Sequence, residues 1–282
     1  PRHVHEIASL EAGTLTSLIM PAWGAGQHGR YYAVKVINIA PGNAARGLPG
    51  LHASVLLHDA DTGVPLALMD GDELTARRTA AASALAASWL ARADAHRLLV
   101  VGAGRIARLL PQAHRVVRAI DHIEVWARDP AAAERLAATW RAEGLDARAA
   151  PALDAAVAEA DIVSCATLAT APLVQGRWLR PGSHLDLIGG FTPAMREADD
   201  DCFAGARLFV DTPEALAKSG DLLGPMSRGV FTPADLQGTL TDLARGRVAG
   251  RQGDAERTVF KSVGTALEDL AAAVLACEAS PG

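Results

Sequence analysis

The sequence is short of cysteine, has no long uninterrupted apolar run and no block of one charge, and each shortage removes a class of protein. Three cysteines, Cys165, Cys202 and Cys277, are spread over 282 residues. They form no CxxC and have no histidine pair beside them, so neither a disulfide framework nor a metal site is expected, and they read as reduced thiols of a cytoplasmic protein. The longest apolar-looking stretch, Leu74 to Ala93, is cut by Arg77 and Arg78, whereas a membrane span needs about 20 mostly apolar residues. No charged segment leads into an apolar one as a secretory signal would. With 27 Lys+Arg against 32 Asp+Glu the net charge is −5, and without a basic cluster neither nucleic acid nor a membrane surface is an expected partner. Repeats and low-complexity tracts are absent beyond a general richness in alanine and arginine. The chain starts at Pro1 without an initiator methionine, which suggests a trimmed leader or an N-terminal piece outside this sequence.

What is present is a globular composition, 50% hydrophobic and 21% charged, unlike that of a disordered chain. The length suits two domains. A chain of this size buries around three quarters of its unfolded surface and needs no covalent staple. Four short aliphatic or β-branched runs, 14–20, 31–39, 51–58 and 64–69, alternate with Gly- and Pro-rich turns and predict antiparallel strands. A helix follows, with Asp72 as expected N-cap and Leu74, Arg78, Ala81, Leu85 and Trp89 at helical spacing. From Leu98 the pattern becomes strand–helix alternation: strands at 98–101, 122–126, 147–149, 162–166, 184–188 and 208–210, with helices at 105–119, 131–143 and 153–159. Such alternation predicts parallel strands with right-handed crossovers. Pro111 should kink the first of these helices. A last helix, 265–277, is expected to pack back on the first domain. The predicted fold class is α/β: a Rossmann-type doubly wound parallel sheet over 93–264, plus a smaller, mostly antiparallel α+β domain from 1–92 with 265–282.

The clearest motif is Gly102-Ala103-Gly104-Arg105-Ile106-Ala107, placed directly after the apolar run 98–101 and opening a helix. Gly102 permits the tight turn, Gly104 lets the backbone approach a pyrophosphate, and Ala107 is small enough for helix–strand packing. At the end of the second strand, where an acid would bind the ribose of NAD, stand Ala127 and Arg128. Arginine suits a 2′-phosphate, so NADP(H) is the preferred cofactor and NAD(H) the second option. The alternative is that Arg128 is solvated or pairs with Asp129.

Two cations sit on apolar faces. Lys35 shares its strand face with Ala33 and Ile37, and Arg78 shares a helical stripe with Leu74, Leu85 and Trp89. A charge there is costly unless an anion meets it. A structural salt bridge and a snorkelling stem are two explanations; a pair of anchors for a small carboxylate is the third. Arg77, one position round the helix, reads as solvated.

Taken with the segments 69–75, 78–83 and 258–264 and with Glu268-Asp269, the sequence resembles the ornithine cyclodeaminase/mu-crystallin family over nearly its whole length. The family's usual opening helical segment is not in it. The resemblance implies a homodimer built through the first domain and an active site between the domains. Carried over residue by residue, it makes Arg2, Lys35 and Arg78 the substrate-carboxylate anchors, with Lys35 and Arg78 as catalytic residues. It places Thr167, Ser262 and Gly264 by the cofactor; Ser262 reads equally as a helix cap.

One departure is informative. Cyclodeaminases and alanine dehydrogenases of the family resemble Gly-Ala-Asp-x-Pro-Gly-Lys at the turn after a late strand, and the aspartate handles the substrate amine. Here the segment is Gly189-Gly190-Phe191-Thr192-Pro193, and a phenyl ring accepts no proton. Losing that acid should cost a deaminase on the order of 10²–10⁴-fold. Asp186 and Asp221 are the acids that could substitute. The wording resembles the ketimine-reductase branch, which implies NAD(P)H-dependent reduction of pyrroline- or piperideine-2-carboxylate to L-proline or L-pipecolate, with Phe191 against the ring. The alternatives are an ornithine cyclodeaminase or amino-acid dehydrogenase, and a non-catalytic NADPH-binding protein.

Overall fold

The computed structural model describes residues 2–9 and 13–279; Pro1, on which the expectation about a leader falls, lies outside them. By its packing the chain divides into two compact units, Pro1–Arg78 with Thr265–Gly282, and Thr79–Gly264. The division falls inside a helix, α1 (Gly71–Leu90), rather than at 92/93 where the sequence pattern changes. The reason is packing: Ala80 and Ala87 lie in one core with Leu98 and Val100, and Ala82, Ala86 and Leu90 in another with Phe209 and Phe260.

The first unit is a five-stranded antiparallel meander in chain order: β1 (His3–Ser9), β2 (Gly13–Ala25), β3 (Arg30–Ile39), β4 (Leu51–Asp59) and β5 (Pro65–Asp70). Alternation in β3 buries Tyr31, Ala33 and Lys35. The two apolar side chains join Val55, Leu57 and Leu74, and the chain's last helix, α8 (Ala266–Ala279), closes this core with Leu270 and Ala273. β1 was not foreseen. It pairs with β2 along its length while its side chains from His3 to Ala8 stay exposed, so no buried face imposes a readable alternation. The cap of α1 is Asp70 rather than Asp72. Asp70 ends a strand in extended backbone, and its Oδ1 accepts from the amides of Asp72 at 2.8 Å and Glu73 at 3.1 Å, the N2 and N3 positions.

The second unit is a parallel eight-stranded sheet of Rossmann type. In chain order it contains β6 (Arg97–Val101), α2 (Arg105–Val117), β7 (His122–Trp126), α3 (Pro130–Ala142), β8 (Ala147–Ala149), α4 (Leu153–Glu159), β9 (Ile162–Cys165), β10 (His184–Leu187), β11 (Arg207–Val210), α5 (Ala215–Lys218), α6 (Gly220–Ser227), β12 (Leu236–Thr239), α7 (Leu240–Ala244) and β13 (Thr258–Lys261). Across the sheet the order is β12-β11-β13-β10-β9-β6-β7-β8. Leu98 and Val100 enter one core and Leu99 and Val101 the other, which is why β6 reads as an unbroken apolar run. α2 continues through Pro111. β12 and β13 escaped the sequence reading: one carries Gln237 and Gly238, the other ends on a buried lysine, and neither shows an apolar pattern. The order in which successive strands are added reverses between β6 and β9, and ligands of such sheets bind outside the carboxyl ends of the strands at that point.

Candidate active site

In the second unit the glycine turn has the shape its sequence predicted. Gly102 has φ +118°, and a Cβ there would fall 2.5 Å from the Ala166 carbonyl oxygen, so the turn closes tightly against the chain leaving β9. Gly104 caps α2 with no side-chain hydrogen bond to the helix amides, and a Cβ on it would meet nothing within 4 Å. A 13-residue helix thus begins at a tight glycine turn with room beside Gly104, an arrangement that fits a pyrophosphate. Ala103 and Ile106 are half-buried against the core, Arg105 is exposed and Ala107 fully buried. At the end of β7, Arg128 is exposed. Asp129, its suspected partner, instead caps α3 through the Ala131 amide at 3.0 Å and pairs with Arg135 at 3.3 Å.

The loops beside this turn are pinned by two carboxylates to which the sequence reading gave no role. Glu197, fully buried, accepts from the Thr167 amide at 2.7 Å and hydroxyl at 2.8 Å, and from the Gly189 amide at 2.7 Å. Asp211 accepts from the amides of Val263 at 2.8 Å and Gly264 at 2.6 Å, where Gly264 has φ +78°. Ser262 is buried and its amide bonds to the Leu187 carbonyl at 3.1 Å. Phe191 follows the Gly189-Gly190 turn and is 42% exposed.

Neither acid considered as a substitute at Phe191 is free to act. Asp186 is fully buried and accepts from Ser164 at 2.5 Å and Ser83 at 3.1 Å, burial pushing its carboxyl up to about 6. Asp221 is fully buried against Lys261 at 3.1 Å. Both are committed to internal partners.

In the first unit, Lys35 and Arg78 come together. Lys35, 1% exposed, lies 2.5 Å from Asp269 Oδ2 and 3.4 Å from the Thr75 hydroxyl. Arg78 reaches Glu268 at 2.6 Å and the other oxygen of Asp269 at 3.0 Å. The structural salt bridge is thus realised for both cations. Burial draws the Lys35 ammonium down to about 8 from its ordinary 10.5; Asp269 opposes this, while the charges of Arg78 and Arg2 reinforce it. Arg2, half-buried, therefore acts on the same group, and the three expected anchors are electrostatically one cluster. Arg77 is exposed and pairs with Glu73 at 2.6 Å. Glu268 and Asp269, which in sequence carry part of the family resemblance and otherwise read as acids in the first turn of a helix, supply the counter-charges of these cations.

The model of the ornithine cyclodeaminase/mu-crystallin family matches residues 4–280. The chain belongs to this family. Among its relatives, the Δ1-pyrroline-2-carboxylate reductase of Paracoccus denitrificans is 43% identical, covering 91% of this chain and 81% of that one. The ketimine reductase mu-crystallin of Mus musculus is 35% identical over 91% of this chain and 78% of its own. Among solved structures, Thermococcus litoralis Δ1-pyrroline-2-carboxylate reductase, in complex with NADH and L-proline, superposes with a TM-score of 0.88 at 35% identity, covering 98% of this chain and 86% of the other. Among the described residues of this family member no group of three His, Cys, Asp or Glu side chains is placed to hold a metal ion, and no helix is long and apolar enough to cross a membrane.

Proposed function

We propose that the chain is a nicotinamide-dependent reductase of cyclic ketimino acids, converting pyrroline-2-carboxylate or piperideine-2-carboxylate to L-proline or L-pipecolate. The observation that carries this reading is Phe191, standing where deaminating relatives keep an aspartate, with Asp186 and Asp221 both buried and engaged. A substrate that already contains its C=N bond has no free amine to manage and needs no acid there. The similarity to pyrroline-2-carboxylate reductases supports the same reading.

Reduction of a ring imine adds a hydride to carbon and leaves a proton on nitrogen. A bound nicotinamide would supply the hydride, held by the amides at the start of α2 and by the Gly102–Ile106 turn. Arg2, Lys35 and Arg78 bind the carboxylate of the substrate and so fix where its ring lies; orientation of this kind can account for several kcal/mol of barrier. With a proton affinity drawn down to about 8, Lys35 also keeps the imine nitrogen protonated and recovers its proton from water. Phe191 packs on the ring methylenes.

Arg128, exposed at the end of β7 where an acid would select NAD, supports NADPH over NADH. The sheet of the first unit turns Ile7, Trp23 and Leu68 outward on the face opposite α8, each more than half exposed at 53%, 65% and 76%. This supports a homodimer joined there, which light scattering would read as twice the monomer mass.

The test of the activity is oxidation of NADPH and NADH with each imine, run beside ammonia release from ornithine. Imine-dependent oxidation without ammonia is expected. Ammonia from ornithine with no imine reduction would replace this reading by the cyclodeaminase one.

A further inference from the structure

Three titratable side chains are sealed inside the second unit. Glu197, Asp221 and Lys261 are each 0% exposed. They form a chain of contacts. Lys261, the last residue of β13, pairs with Asp221 Oδ2 at 3.1 Å. Asp221 Oδ1 accepts from the backbone amides of Glu197 at 2.7 Å and Ala198 at 3.1 Å. The Glu197 carboxylate then divides: Oε1 takes the amide and hydroxyl of Thr167, and Oε2 takes the amide of Gly189.

Burying such a set costs several kcal/mol per ion before pairing, and well-packed apolar residues would stabilise the fold as well or better. What the set does provide is geometry. Thr167 follows β9 and Gly189 follows β10, neighbouring parallel strands, so one carboxylate ties together two loops at the carboxyl edge of the sheet. The residue before Thr167 carries the carbonyl oxygen against which Gly102 closes. Ser219, just before α6, adds a bond to the Gly190 carbonyl at 2.6 Å. No side chain fits at this junction: a Cβ on Gly189 would overlap Glu197 and the Thr167 carbonyl, and one on Gly190 would overlap Asp221.

We propose that Glu197 is a positioning residue for the cofactor: it locks the Thr167 loop to the Gly189-Gly190 turn so that both form a fixed wall beside the phosphate-binding turn, and the Asp221–Lys261 pair holds Glu197 in place. The inference rests on the nicotinamide-dependent part of the proposed function, and it is independent of which imine, or whether any imine, is reduced.

The test reads binding directly, by titrating NADH and NADPH against the full chain and following nicotinamide fluorescence, with circular dichroism to verify folding. Glu197→Gln keeps the shape but presents an amide group to a backbone donor. In the folded variant the Kd for the preferred cofactor should rise at least tenfold. Thr167→Val keeps the amide arm but removes the hydroxyl's bond to Glu197 together with the one it accepts from the Ala169 amide at 3.2 Å; it should cost several-fold, recovered in Thr167→Ser. Because both losses pass through one carboxylate, Glu197→Gln with Thr167→Val should bind no worse than Glu197→Gln alone. A folded Glu197→Gln chain with wild-type affinity, or losses that add in the double variant, would overturn the proposal. Should Glu197→Gln not fold, the Thr167 pair decides: a loss in valine recovered in serine supports it, and undiminished affinity in valine overturns it. A wild-type chain that binds neither cofactor overturns it as well, whereas one that binds a cofactor and reduces no imine defeats only the substrate reading.

Discussion

Lys35 Nζ lies 2.5 Å from Asp269 Oδ2, with the two side chains 1% and 2% exposed. Asp269 also takes the Arg78 guanidinium on its other oxygen at 3.0 Å, so a single carboxylate organises both buried cations. An ion pair this deep is weak as a source of stability but costly to break from one side. Lys35→Met takes one of its two cations from Asp269 but also removes a buried ammonium whose charge costs the fold, and Arg78 still pairs the carboxylate, so the loss of stability should be about 1 kcal/mol or less rather than the roughly 3–5 kcal/mol of a buried charge left unpaired. Urea unfolding would measure this. The same variant should lose on the order of 10²-fold or more in kcat/KM with a cyclic imine, the usual weight of a proton-transfer group. Unchanged kcat/KM in folded Lys35→Met chain would remove Lys35 from the substrate site.

The pH dependence of the same lysine has a definite sign. Its folded-state affinity for protons, about 8, lies below the ordinary 10.5 because burial disfavours the charge. Between those two values the unfolded chain binds the extra proton, so the Lys35 contribution to stability increases with pH from about 8 upward and the full cost of the buried charge is present below it. Activity runs the other way. Only the ammonium form can donate to the imine nitrogen, so kcat with the imine should decline as pH rises through about 8. In Lys35→Arg, where the charge persists at every working pH, that alkaline limb should vanish from the pH–rate profile.

The parts of this molecule legible in sequence are those written by local pattern. Leu98 to Val101 followed by Gly102-x-Gly104 names a strand, a turn and a helix N-terminus within ten residues, and the structure has them in that order. The cations Lys35 and Arg78 stood out because their own faces are otherwise apolar. Glu268 and Asp269 stood out only through the family resemblance; their role as counter-charges was hidden, because they come from the far end of the chain and locally look like ordinary first-turn acids of α8. Glu197 was hidden in the same way: Met195-Arg196-Glu197-Ala198 is a polar loop in sequence, and only the fold puts its carboxylate between Thr167 and Gly189. β1 left no trace because nothing covers it. Pairing over long separations carries no local signature, and the interior of this site is built almost wholly from such pairs.

Arg128 sets the expected cofactor preference. It is exposed, so Arg128→Ala should leave stability within about 0.5 kcal/mol of the parent. Its effect belongs to the 2′-phosphate alone. One or two charge-assisted hydrogen bonds correspond to roughly 10–100-fold in affinity, so KM for NADPH should rise by that factor while KM for NADH stays put. Parallel steady-state measurements with the two cofactors read the ratio directly, and equal changes in both would show that Arg128 does not discriminate.

Phe191 offers the sharpest separation between the two branches of this family. Its ring is 42% exposed beyond a turn whose two glycines are packed against Glu197 and Asp221, so the backbone that aims it is fixed while the side chain itself is free to be exchanged. Phe191→Asp should therefore fold and should restore a carboxylate at the place where deaminating relatives carry one. Two effects follow from different causes. Loss of apolar contact with the substrate ring, about 1–3 kcal/mol for a side chain of this kind, should raise KM for the cyclic imine roughly tenfold. A carboxylate able to hold and deprotonate a substrate amine should bring measurable ammonia release from ornithine with NAD, absent from the parent chain. If the variant lost imine reduction without gaining any deamination, Phe191 would still be a substrate contact, but the missing acid would not be what keeps this chain from deaminating. If neither reaction changed, Phe191 would stand outside the site altogether.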